Sequence, residues 1–525
     1  MDCAVRTGTD GKPAILPDRG YKPRARGPRI YVYNLPPRLT VWRGETFFVE
    51  RHTLRHFLER LVPTGVRVAD GASADWFFLP ITLRDQLVRH VLVDAITYVR
   101  QAYPWWNATG GGHRHFVIAT GDMGRVESEY AHTHKLGYGK LSENLTIVSY
   151  WGLHQERAAI KWAASHRPAT DIVLPVLLGT PKMAAMGLLE GRHHPKFMEL
   201  AVPSLRERNG PLFYFSGRVC GDGSPPRLNA SFPHCSSVRS HVYSGGVRQL
   251  VHYHHWNRTG FFIQLRDPKY AEHLRTSRFC FGPMGGGHGQ RQIQAVLAGC
   301  VPVLISDGVY EAFEPVLDWG RFGVRVAEAD IPRLHEILEA ISPEEYALKA
   351  SRLRCAAQHM AFSLTTGALF GESGAFDAFE TLLEVLRAKA AHPDVPFERL
   401  RQEDPQLDAF LDCRDLDQLD SAAAPEGPGP GAAGAAAGQG STNGTADVRQ
   451  GSAGAVQAES GAGSASQGPS RGANAAKGRG RVCSVSPFDE EDPGVEQCRT
   501  VVIPTGGFMC AHSPRDLTAC LRPWA

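Results

Sequence analysis

The chain has 525 residues, and its 57 Lys and Arg against 54 Asp and Glu leave a formal charge of +3. A balance this close, without a basic stripe, excludes nucleic acid as the expected partner. No run of 18 apolar residues occurs and Met1–Arg6 has no apolar signal core, so neither a membrane-spanning helix nor a secretory signal is expected within the chain.

In chain order, residues 1–24 read as an extension. From residue 25 to 400 short apolar runs alternate with helical spacing. Strands are predicted at Ile30–Tyr33, Trp76–Pro80, His115–Ala119, Leu145–Ser149 and Asp171–Leu174. Leu87, Val88, Val91, Leu92, Ala95, Ile96 and Val99 repeat at helical spacing, predicting a helix over 83–100. Leu212–Phe215 opens a second round, and Phe322–Val326 is its late strand. Asp330 is the expected N-cap of a helix carrying Ile331, Leu334, Leu338 and Ile341. Ser342-Pro343-Glu344-Glu345 reads as a capping box with proline at the first helical position. Phe376, Phe379, Leu382, Leu383 and Leu386 mark a last helix. Buried strands separated by amphipathic helices predict an α/β chain with two Rossmann-like parallel-sheet domains, split near 205. After a connector at 401–420, Ala and Gly fill 32 of the 60 positions of 421–480. That composition cannot offset its ordering entropy and predicts a disordered linker. A Cys-rich tail follows at 481–525.

The most informative segment is 277–308. A strand (Phe279–Phe281) runs into Gly285, Gly286, Gly287, His288 and Gly289, then a short helix stopped by Gly299, then a strand (Val301–Ile305) ending at Asp307. Bare backbone where a helix begins suits a phosphate. A Walker loop is excluded because no lysine is present. The dinucleotide fingerprint needs Gly-x-Gly-x-x-Gly, and these glycines have another register, although Asp307 stands where an NAD-ribose carboxylate belongs. An NAD-dependent oxidoreductase therefore stays as an alternative, and so does a βα turn that binds nothing.

Five of the eight asparagines sit in Asn-x-Ser/Thr: Asn107, Asn144, Asn229, Asn257 and Asn443. Chance gives about one at average Ser and Thr usage, so the acceptor sites point to a lumenal compartment. Among eleven cysteines, Cys483, Cys498, Cys510 and Cys520 lie in the last 43 residues and fit a disulfide-stapled module. Cys220 and Cys235 flank a Gly/Pro-rich loop and can pair. Cys280 and Cys300 are expected as buried thiols. Without Cys-x-x-Cys, zinc is not expected, and His252-Tyr-His-His255 is expected to pack or be solvated rather than hold metal. Either the targeting segment is missing from this sequence or it is of an unusual kind; Cys3 would fit truncation after an upstream cysteine module.

Taken together, the motifs resemble the exostosin family of glycosyltransferases. Pro28–Pro37, Ala74–Pro80, Asp171–Pro175, Leu212–Arg218, Leu274–Asp307 and Phe313–Leu338 follow in the family's order. The Gly285–Arg291 version is similar to plant and green-algal members. The resemblance implies a two-domain GT-B fold, with an acceptor-side domain at 25–205 and a donor domain at 206–400. It implies inverting transfer of a sugar from a nucleotide-diphosphate donor, usually UDP, to a cell-wall polysaccharide or glycoprotein glycan. It also implies a Golgi location, with membrane association through a segment absent from this chain or through a partner.

The residues support a metal-independent site. No Asp-x-Asp occurs before Asp415-Leu-Asp417. The alternative way to stabilise a diphosphate leaving group is a helix N-terminus with arginine. Arg291 and Arg218 are the candidate phosphate contacts, beside the 285–289 loop and Asp307. Their other reading is a surface charge or salt bridge. Many family members have a carboxylate where this chain has Gln294, and that acid is expected to hold the donor ribose. Gln294 therefore leaves two alternatives: a glutamine that changes donor choice or marks a catalytically inactive, glycan-binding or scaffolding relative, or a solvated helix residue. Asp122 and then His154, each after a strand of the first domain, are the candidate bases; strand-end capping or packing is the other reading for both. His288 either contacts the diphosphate or fills the turn.

Overall fold

The structure is a computed structural model that describes residues 24, 26–40, 52–81, 83, 91–126, 142–186, 208–228, 231–363, 374–414, 479–484 and 497–502. The chain forms two compact units, the larger comprising Met1–Ser421 with Ser486–Pro493 and the smaller Ala422–Val485 with Gly494–Ala525.

The larger unit contains two parallel sheets. Its strands are β1 (Ile30–Val32), β2 (Arg67–Val68), β3 (Trp76–Phe78), β4 (His115–Ala119), β5 (Thr146–Ser149), β6 (Gly152–Leu153), β7 (Ile172–Val173), β8 (Phe213–Ser216), β9 (Phe261–Gln264), β10 (Phe279–Phe281), β11 (Val301–Leu304), β12 (Val309–Tyr310) and β13 (Val324–Arg325). The first sheet has the order β2-β1-β3-β4-β5-β7 and the second β13-β11-β10-β8-β9. Every pairing within them is parallel. Both are covered on two faces, which is why β3 and β4 are buried along their whole length. Alternation assigns Phe77 to one face and Phe78 to the other. Phe77 joins Ala95, Ile96 and Val99 of the helix Val91–Ala102. Phe78 meets Phe57 of the helix Thr53–Leu61 edge to face. This is the two-domain α/β architecture expected from the alternation of strands and helices.

Two features cross between the sheets. Strand β12 pairs antiparallel with β6, with Val309 opposite Leu153 and Tyr310 opposite Gly152. The late helix Ala378–Ala391 returns to the first sheet: Trp76 Nε1 donates to Leu386 O at 2.8 Å, and Phe57 and Phe379 lie 5.3 Å apart. Arg60, buried, pairs with Asp377 at 3.1 Å and Glu380 at 3.3 Å.

Several expectations change. Cys280 and Cys300 are a disulfide, not thiols, because the short helix between β10 and β11 brings their Cα atoms to 5.8 Å. Cys220–Cys235 pair, as their loop allowed, and Cys355–Cys413 form a third bridge. Asp330 is no N-cap. Glu328–Arg333 is a 3-10 turn, and the α-helix begins at Leu334, because Pro332 has no N–H to give an α-helical ladder. Ser342 caps the following helix, with the Glu345 N–H donating to Ser342 Oγ at 3.2 Å and Pro343 opening the helix. The helix predicted from residue 83 is described only from Val91, and Leu83 instead bridges to Ala119; Leu87 and Val88 lie outside the described residues. The 421–478 part of the expected linker also lies outside them. In the smaller unit β14 (Arg479–Ser484) and β15 (Gln497–Val502) pair antiparallel and place Cys483 opposite Cys498.

Candidate functional site

In each parallel sheet the loops at the carboxyl ends of the strands are the place for a ligand, and here those two sets of loops meet. Asp122 follows β4 and touches the glycine loop that follows β10. The His288 N–H donates to Asp122 O at 3.1 Å, and His288 Nδ1 lies 3.6 Å from Asp122 Oδ1. The Asp122 side chain is half exposed, whereas the His288 ring is buried beside Tyr150. Side-chain-free backbone is required at this contact. A Cβ on Gly287 would lie 2.1 Å from Asp122 O, and one on Gly289 would lie 2.4 Å from Pro283 O. Gly286 faces open space. Gly285 N–H bonds to Gly287 O. The N–H groups of Gly286, Gly287 and Gly289 have no acceptor among the described residues, so they can serve an anion.

Cations surround this loop. Arg291 begins the helix Arg291–Leu297, for which Gln290 supplies no side-chain cap. Its guanidinium donates to Gln294 Oε1 at 3.0 Å, lies over the Tyr270 ring and passes beside Gly217. Gly217 adjoins Arg218, so the end of β8 and the glycine loop lie side by side. Arg218 donates to Gly221 O at 3.5 Å and faces Tyr243. Gln294 is fully buried and its Oε1 also accepts from Tyr270 OH. The solvated-helix alternative for Gln294 does not hold, and its carbonyl oxygen is already engaged by Arg291 and Tyr270.

Asp307 and His154 meet elsewhere in the same interdomain region. Both line a cleft of about 470 Å³ with Ser306, Tyr310, Glu314 and Arg325. The Asp307 carboxylate accepts from Glu328 N–H, and Glu328 accepts from Asp307 N–H at 3.0 Å. The His154 ring stacks on Tyr310 at 4.2 Å.

Sequence reasoning missed four groups. Lys182, buried in the helix Thr180–Ala185 that follows β7, donates to Gln290 Oε1 and so stands against the glycine loop. Arg248 donates to Met284 O at 3.1 Å and to Tyr243 OH at 2.8 Å, fixing the start of the loop. Arg157 reaches from the first sheet's side to Glu328 and to Met284 Sδ. Glu311 is buried behind the site, accepting from Gln292 Nε2 at 3.0 Å and Ser306 Oγ at 3.3 Å. Burial raises its pKa to about 7, despite the opposing Arg325 charge. No local pattern announces these four. The histidines at 252–255 pack: His252 bonds His234 at 2.9 Å, and His255 bonds Ile331 O at 2.7 Å.

A family profile described as the Exostosin GT47 domain matches residues 24–341. The chain belongs to the exostosin GT47 family. A probable glucuronosyltransferase of Oryza sativa subsp. japonica is 25% identical over 386 residues, covering 70% of this chain and 81% of that one. A probable glucuronosyltransferase of Physcomitrium patens is 23% identical, covering 69% and 76%. A probable glycosyltransferase of Arabidopsis thaliana is 30% identical over 263 residues, covering 49% and 41%. Among solved structures, Anabaena HepE in complex with UDP aligns with a TM-score of 0.27 at 10% identity, over 63% of this chain and 94% of that one. The family and its relatives make this GT47 chain a glycosyltransferase, and the oxidoreductase alternative falls with that assignment. No described helix of this GT47 chain is long and apolar enough to cross a membrane.

Proposed function

We propose that the chain transfers a sugar, with inversion and without a metal, from a UDP-sugar to a glycan hydroxyl in the secretory pathway. The observation that carries this reading is the convergence of Arg291, Lys182 and the open N–H groups of the 285–289 loop where the two sheets' carboxyl ends meet. Arginine's fork and the lysine ammonium match diphosphate oxygens, and donors already in place stabilise charge as the leaving group departs. Asp122 is the base, since it alone of the two candidates touches this loop. Its carboxylate takes the acceptor hydroxyl proton while the acceptor oxygen bonds to the anomeric carbon and the bond to the diphosphate breaks. His154, stacked on Tyr310, lines the cleft in which the acceptor lies. Arg218 supports the diphosphate through the adjoining Gly217 turn. Two plant relatives carry glucuronosyltransferase names, so UDP-glucuronate heads the donor screen.

The test is UDP release across UDP-sugars with plant cell-wall glycans as acceptors, run with and without a chelator. One donor is expected to turn over in both conditions, and Arg291→Ala to lose about 10²–10³-fold in kcat. Equal turnover in that variant would remove the phosphate role. No turnover and no UDP-induced thermal shift would instead support the scaffolding relative to which Gln294 points.

A further inference from the structure

The asparagine signatures are not equivalent once the chain is folded. Asn144 is half-buried, and its Nδ2 donates to Gly110 O at 3.2 Å and Gly111 O at 3.4 Å. Its Thr146 lies buried inside β5, paired with Phe116 of β4. A sugar on Asn144 Nδ2 replaces one of its two amide hydrogens, so at least one of those bonds is lost, and it crowds the Gly110–Gly111 turn beside the start of β5. Asn107 is exposed, but the Thr109 hydroxyl is turned back onto Trp105 O at 2.9 Å. Asn229 and Asn443 lie outside the described residues.

Asn257 differs from these. It and Thr259 are exposed in the turn that follows the helix Val247–His255, where Gly260 has φ +81°. The helix closes through Trp256 in right-handed conformation, so Asn257 stands one turn beyond Tyr253 on the same face. Tyr253 is 36% exposed, and the ring of Phe232, 42% exposed, lies 5.4 Å from it at 67°. Two large rings left in water, edge to face, beside an acceptor asparagine form an exposed apolar patch that a sugar face can cover, since aromatic rings bury a large apolar area on contact. We propose that Asn257 carries an N-linked glycan whose first sugar lies on the Tyr253–Phe232 pair, and that Asn144, with the same signature, carries none. In the modification, Asn257 Nδ2 bonds to C1 of the first N-acetylhexosamine of a polyisoprenyl-diphosphate oligosaccharide. The C1–O bond to the diphosphate breaks, the diphosphate leaves with that electron pair, and the amide proton passes to base.

The proposal rests on the lumenal part of the proposed function, so the experiment separates the two. The full chain is secreted from glycosylating cells behind an added cleavable signal, and its glycans are removed by a peptide N-glycosidase in heavy-oxygen water. Label is expected at Asn257 at about tenfold or more above Asn144, and is expected to vanish from Asn257 in Thr259→Ala. Label at Asn144 equal to that at Asn257, or none at Asn257, overturns the assignment. A parallel expression without the added signal reads routing alone. For the platform, deglycosylation is expected to lower the thermal midpoint by about 1–3 °C in the native chain and not in Tyr253→Ala; equal shifts overturn the stacking.

Discussion

Gly287 is a residue at which the loops after β4 and β10 come into close contact in the candidate site. A methyl group there meets Asp122 O at 2.1 Å, while one on Gly286 meets nothing within 4 Å. Gly287→Ala is therefore expected to lower UDP-sugar turnover by about 10²-fold through misplacement, and Gly286→Ala to stay near wild type; turnover by both variants checks it. Glu311 is a second residue with a measurable signature. Its folded pKa is raised to about 7 by burial, above the ordinary glutamate value, so between these the folded state binds the extra proton. Its contribution thus destabilises increasingly as pH rises from about 4.5 to about 7, by about 1–3 kcal/mol in all. Urea unfolding of Glu311→Gln across that range is expected to lack this loss. Arg325 and Glu314 are the charged groups that bias Glu311 from neighbouring segments. None of this was legible from Glu311's sequence neighbours, because burial is set by elements far along the chain.

At the scale of elements, the helix Ala378–Ala391 shows what order along the chain hides. Its apolar spacing made it recognisable as a helix, but its partner is the first sheet rather than the sheet that precedes it. Buried charges fix it there: Arg60 meets Asp377 and Glu380, and Arg24 meets Glu380 and Glu384. Removing one member of a buried pair leaves an uncompensated charge, so Arg60→Ala is expected to cost about 3–5 kcal/mol in chemical denaturation. Asp377→Asn combined with Arg60→Met should recover part of it, because two matched neutral groups carry no such penalty. The same reasoning explains the cysteines. Cys280 and Cys300 sit in apolar runs that look like ordinary core, and only the parallel pairing of β10 with β11 brings them to bonding distance.

For the whole molecule, acid response follows from its buried imidazoles. His56, His115, His166, His252, His255 and His359 all have pKa values lowered to about 4, chiefly by burial. His115 illustrates the neutral form: Nδ1 bonds His113 O at 3.0 Å while Nε2 bonds Tyr33 OH at 2.7 Å. Below the ordinary histidine value the unfolded chain binds protons that the folded one refuses. Stability from these groups is complete above about pH 6.5 and falls as pH drops toward 4, by about 1–3 kcal/mol for each. Circular dichroism against pH is expected to show cooperative unfolding on the acid side. An unfolding midpoint unchanged between pH 7 and pH 5 would contradict it.

Strand and helix alternation, glycine register, the absence of a Walker lysine and the ordered motifs from Pro28 to Leu338 were all properties of the sequence itself. They rest on local periodicity and on residue types that admit few backbone conformations, and they sufficed for two parallel-sheet domains and a glycosyltransferase family. What only the tertiary structure decided is which distant residues share a place. Asp122 lies against His288, Lys182 against Gln290, and Gln294 is buried between Arg291 and Tyr270. Asp122 and His288, and Lys182 and Gln290, lie more than 100 positions apart, and no pattern within a few residues encodes their meeting.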